Sequence, residues 1–124
     1  MSAVEPSATR ASALQAAAAL ARYERHVRRL AATWLDMDLY RQVSAEVDAI
    51  GRACSLLPSV RVPWAALLAS HAELVHSLWR IGEAAATQQT ESVPALREHL
   101  KCIDALARRC LRVAALTPRP ASYA

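Results

Sequence analysis

Residues 62–86 read VPWAALLASHAELVHSLWRIGEAAA, the most continuously apolar segment of the chain. Turned at about 100° per residue, the segment places Trp64, Leu67, Leu68, His71, Leu74, Val75, Leu78, Trp79, Ile81 and Gly82 within an arc of about 160°. A one-sided surface stripe is narrower than this. So broad an apolar face has to touch two neighbours, which predicts a helix forming the inner wall of an all-helical bundle.

Composition points the same way. The chain has 124 residues, enough for one domain with its own core. It holds 28 Ala and only two Gly, with no Phe or Asn, and Ala is the best helix former while Gly is the usual interrupter. Working outward from residues 62–86, the apolar phase predicts helices over 7–34, 37–57, 63–87 and 92–116. Joined by short loops, these make an up-down-up-down four-helix bundle. Residues 7–116 form its single domain, with 1–6 a disordered tail and 117–124 a flexible one. The first helix turns Ala13, Ala16, Leu20, Tyr23, Val27, Leu30 and Trp34 inward. Its phase breaks near Thr33–Asp38, where Asp36 can cap a second helix; one long, kinked helix is the alternative. Pro58 and Pro63 bracket the next loop, with Pro63 suited to a first helical position. Thr90 or Ser92 caps the last helix, whose inward set includes Leu96, His99, Ile103, Leu106 and Cys110. The set expected to be buried together is Leu20, Val27, Leu30, Val47, Ile50, Leu67, Leu74, Leu78, Ile103, Leu106 and Cys110.

The formal charge is +4, with residues 1–35 and 91–124 carrying +3 each. Basic residues are 14 Arg and one Lys, and together with the Ala excess this looks like a GC-rich, bacterial-type coding bias. The row Arg97, Lys101, Arg108, Arg112 has no interleaved aromatics for stacking on bases, so a nucleic-acid-binding basic bundle is an alternative and not the leading expectation. Three cysteines with no C-x-x-C spacing imply reduced thiols and a cytoplasmic location. The run Ala11–Ala21 does not read as a secretion signal, because Gln15 interrupts it and Glu5 precedes it. No run reaches the ~18 apolar residues of a membrane span.

Four groups could carry chemistry. His71 lies near the centre of the apolar arc and needs a hydrogen-bond partner, for which Tyr23, a backbone group or water can serve. Folding the third helix back around residue 89 puts residue 107 at its height, Cys110 one turn away and His99 ~12 Å further along. His99 and Cys102 form an H-x-x-C pair on one face of the last helix, but two ligands do not make a zinc site. No metal is therefore expected; the candidate ligands, should one bind, are His71, His99, Cys102 and Cys110. His76 falls outside the arc and should be exposed. Val75-His76-Ser77-Leu78 is similar over those four residues to the A-H-x-L segment of histidine phosphotransfer domains, in which Lys and Gly follow; here Trp79 and Arg80 follow. The likeness makes His76 the phosphoacceptor of an alternative signalling function. Glu24 and Glu46 stand at similar heights, too few for a di-metal site.

Nothing resembles a nucleophile with its base and orienting acid, a phosphate-binding glycine loop or a cofactor site. The leading expectation is a non-enzymatic bundle without a cofactor that acts by binding protein, including its own copy as a homodimer. The third helix offers more apolar arc than the about 100° a bundle helix needs. Leu68, Ala72, Trp79 and Leu111 would then form a strip the monomer leaves uncovered. In the alternative, Trp79 fills a gap left by the Ala-rich, thin first helix.

Overall fold

The computed structural model describes residues 6–83 and 92–117. The chain is an all-α, up-down-up-down bundle of α1 (Pro6–Ala32), α2 (Met37–Cys54), α3 (Arg61–Glu83) and α4 (Ser92–Leu116), with a 3-10 turn at Pro58–Val60. Each of the eleven residues expected in the core is buried. The reason is periodicity: on α1 the steps between Ala13, Ala16, Leu20, Tyr23, Val27 and Leu30 alternate three and four, so one line of side chains faces inward and all six are buried.

Residues 33–36 are a break between two helices, not a kink in one. Thr33 closes α1 by donating its amide and its hydroxyl to the Arg29 carbonyl at 2.9 and 2.7 Å. Asp36 is extended and accepts the Leu39 amide at 3.0 Å, satisfying an orphan donor of the first turn of α2. The start of α3 differs from expectation. The helix runs on directly from the 3-10 turn and begins at Arg61, so Pro63 is its third residue. Pro is tolerated there because the first four amides of a helix have no intrahelical acceptor to lose. At the other end Thr117, expected in the loose tail, donates its hydroxyl to the Val113 carbonyl at 2.6 Å. The expected cap Thr90, residues 84–87 of the expected third helix, the side chains of Ile81 and Gly82, and the two tails over 1–5 and 118–124 lie outside the described residues.

The packing order corrects the expectation that α3 is an inner wall. α1 packs along both α2 and α4, and α4 along both α1 and α3, whereas α2 and α3 hardly meet. The inner helices are α1 and α4. Their partners on each side are covered, and the surplus apolar arc of α3 is left at the open side between α2 and α3. Among the described residues, aromatic side chains close that side at its two ends. At one end Trp64 lies on Gly51, where a Cβ would stand 2.7 Å from the indole, so a glycine is what lets the ring rest on α2. At the other end Trp79 meets Trp34 and Tyr40 edge to face, with ring centroids 5.1 and 6.3 Å apart. Around the Trp64 end lies a shallow groove of about 510 Å³, lined by Val47, Asp48, Gly51, Arg52, Trp64 and Leu68 among others.

Candidate functional site

Three helices each present polar side chains at inward positions, and the fold brings these to one place. α1 contributes Tyr23 from its buried line, α3 contributes Ser70 and His71, and α4 contributes His99 from the same line as Ile103 and Leu106. Tyr23 and His99 are fully buried, Ser70 nearly so, and His71 half-buried. The Tyr23 hydroxyl lies 2.7 Å from His71 Nδ1 and 2.6 Å from His99 Nε2. Ser70 Oγ lies 2.6 Å from His99 Nδ1 and 3.0 Å from the Leu67 carbonyl.

Proton bookkeeping fixes the sense of this chain. A carbonyl only accepts, so Ser70 donates to Leu67 O and accepts from His99 Nδ1–H. His99 Nε2 is then an acceptor and takes the Tyr23 proton, and the Tyr23 oxygen accepts from His71 Nδ1–H. All four contacts are used and each has one donor and one acceptor. His71 Nε2 is left as a lone pair at the half-buried end. The reverse sense gives up the Ser70 bond to Leu67 and satisfies one group fewer, so both imidazoles are assigned as neutral Nδ1–H tautomers.

The surroundings agree with neutral rings. Burial, with a smaller contribution from His71, lowers His99 to about 3. Burial also lowers His71. The Tyr23 phenol is pushed well above its ordinary value by burial and secondarily by the charge of Glu46. Glu46 itself takes His26 Nδ1 at 2.8–2.9 Å, and Glu24 pairs with Arg28 at 3.4 Å, so the two carboxylates do not form a pair.

Of the partners His71 could have had, Tyr23, a backbone group or water, the structure shows Tyr23. One expectation about His99 fails: its ring centroid is 5.6 Å from that of His71, not a further ~12 Å along the bundle. Folding back around residue 89 assumes the shortest connection decides the register. The buried pairs His71–His99 and Ser70–His99 instead centre the α3–α4 pair near residue 85. An imidazole buried without partners costs more than a longer connection, so the slide that lets His99 bond at both nitrogens prevails. Ser70 was not singled out in the sequence, although a Ser on the inward phase beside His71 was the available signal.

The candidate metal ligands divide. His71 and His99 are both engaged by Tyr23, while Cys110 lies against Cys54, whose thiol is pushed up by their hydrogen bond and by burial; Cys102 is half-buried elsewhere on α4. Among the described residues no three His, Cys, Asp or Glu side chains are grouped to hold a metal ion, and no helix is long and apolar enough to cross a membrane. His76 is exposed, as expected.

The strip on α3 is exposed as its phase predicted, with Leu68 and Trp79 each about two-fifths accessible and Ala72 exposed. Trp79 also packs on Trp34 and Tyr40, so part of its ring covers α1 and α2 and the rest faces outward. Leu111 is exposed as well and sits near Ala114, whose carbonyl accepts from Arg10 at the start of α1 at 2.7 Å, whereas Trp79 packs on Trp34 beyond the other end of α1. Two features stand out in this geometry: a closed polar chain inside, and an open apolar side between α2 and α3. No protein-family model, no curated protein and no solved structure matches the chain.

Proposed function

We propose that this chain acts by binding protein and not by catalysis, and that its first partner is a second copy of itself. One observation carries this. From Val62 to Ala72 α3 has no charged residue, and its outward positions Val62, Ala65, Ala66, Leu68, Ala69 and Ala72 are exposed, Val62 to 80%. A helix apolar on its outer as well as its inner face is a helix meant to be covered on both. The polar chain of Tyr23, His71, His99 and Ser70 fits a scaffold better than a catalyst, since its donors and acceptors are matched within the protein and only His71 Nε2 is left over.

Sedimentation at micromolar concentration is expected to give a dimer for the wild type. Leu68→Glu places a charge on the exposed strip at a side chain about two-fifths accessible, and is expected to weaken association at least tenfold while the far-ultraviolet circular dichroism stays that of the wild type. A wild type that sediments as a monomer at those concentrations overturns the proposal.

A further inference from the structure

The side of the bundle away from the open gap between α2 and α3 carries a different signal, written in charge. α1 and α4 pack along one another and together hold ten Arg or Lys against three carboxylates, whereas α2 and α3 hold four against five. A coding bias toward Arg loads all four helices alike, so it leaves this asymmetry unexplained. The excess is also aimed. Turned at about 100° per residue, Arg22, Arg25 and Arg29 fall within about 60° of arc opposite the buried line of α1, and Arg97, Lys101 and Arg112 within about 60° opposite that of α4. All six are exposed, and none has an ion pair among the described residues. Of the three carboxylates, Glu24 and Asp104 are taken up by Arg28 and Arg108, and Glu98 lies outside the arc of the α4 row.

Tyr23 meets His99 and Arg10 meets Ala114, a register that sets Arg22 and Arg25 about level with Lys101 and Arg97. The two rows therefore run side by side. Between them the seam is apolar: Leu14 and Leu111 each stand one turn from the Arg10–Ala114 bond, on the sides of α1 and α4 that face each other, and are 42% and 51% exposed. Nucleic acid makes poor use of such a face, because α4 has no Phe, Trp or Tyr and the one on α1, Tyr23, is buried, so nothing can stack on bases. A bilayer surface uses both parts. Leucines enter the headgroup boundary, and Arg stems lie along the apolar seam while their guanidinium groups reach lipid phosphates.

We propose that the outer face of α1 and α4 binds the surface of a bilayer containing anionic phospholipid, with Leu14 and Leu111 entering the headgroup boundary between two rows of cations. The inference does not depend on self-association, since the strip on α3 lies on another side of the bundle.

Co-sedimentation of the full chain with vesicles tests it, using phosphatidylcholine alone and phosphatidylcholine with about a third phosphatidylserine. The wild type is expected to sediment with the anionic vesicles and to stay in solution with the neutral ones. Each basic residue near an anionic surface contributes about fivefold, so Arg25→Glu together with Lys101→Glu is expected to weaken binding at least about twentyfold. Leu14→Ser together with Leu111→Ser keeps the charge and is expected to weaken it at least about fivefold. All four positions are exposed, and far-ultraviolet circular dichroism checks that each variant keeps the fold. A wild type that binds neither vesicle, or both equally, overturns the proposal. Binding that ignores the leucine pair overturns the entry of the seam. Tighter binding to a duplex oligonucleotide than to the anionic vesicles at the same salt assigns the two rows to nucleic acid and overturns the membrane reading.

Discussion

Acidification from pH 7 to pH 4 is expected to cost the fold on the order of 3 kcal/mol through His99 alone. The sign follows from the two states. In the unfolded chain the imidazole has its ordinary value of 6.5, and in the fold it is lowered to about 3 by burial and then by His71. Between those values the unfolded chain binds a proton that the folded chain refuses, so stability falls as pH drops through 6.5 and levels off only below about 3. The hydrogen-bond chain explains why His99 refuses. Protonating Nε2 would leave the Tyr23 oxygen accepting two N–H groups while its own proton loses its acceptor, with a cation buried beside it. His71 is lowered in the same direction, but its Nε2 makes no bond to a described residue and the ring is only half-buried, so its protonation leaves the chain of bonds intact. Urea unfolding of the wild type and of His99→Leu at pH 7, 6 and 5 isolates the effect, because carboxylates contribute little until the pH falls further and the share of His71 is common to both proteins. Stability that is flat across that window, or a slope unchanged in His99→Leu, contradicts the assignment of His99 as a neutral acceptor.

Much of the bundle was legible in the sequence, and the reasons are local. The inward line of α1 and the break at residues 33–36 are written in a three-four spacing and in a capping Asp36, both short-range signals. That Tyr23 stands near the height of His71, as one possible partner beside a backbone group or water, was also readable from the inward phase of the two helices. The slide of α4 along α3 was not. Eight residues lie between Glu83 and Ser92, and a connection of that length permits several registers; the one adopted is chosen by which buried polar atoms find partners. Nor could the wheel of α3 say which neighbour would be missing. It showed more apolar arc than a bundle requires, and the expectation of two covered flanks was wrong because α2 stays away from α3 except where Trp64 lies on Gly51 and Tyr40 on Trp79.

Tyr23→Phe is expected to destabilise the fold by about 2 to 4 kcal/mol, although it keeps the ring and removes a single oxygen. That oxygen is the one atom bonded by both imidazoles, and through it α1 is joined to α3 and α4. Without it His99 Nε2 is a fully buried acceptor with no donor, which is the costly half of the loss. His71 can turn its bond toward solvent from its half-buried position, so its share is smaller. The same reasoning says how the loss should be relieved. His99→Leu in the Tyr23→Phe background removes the orphaned nitrogens and leaves Ser70 its bond to the Leu67 carbonyl, so the double variant should be more stable than the sum of the two single losses by at least about 1 kcal/mol. Chemical denaturation of the four proteins of that cycle measures it. If Tyr23→Phe costs less than about 0.5 kcal/mol, or if the two losses simply add, the polar chain does not hold the three helices in register, and the slide of α4 along α3 has to be attributed to the apolar packing around it.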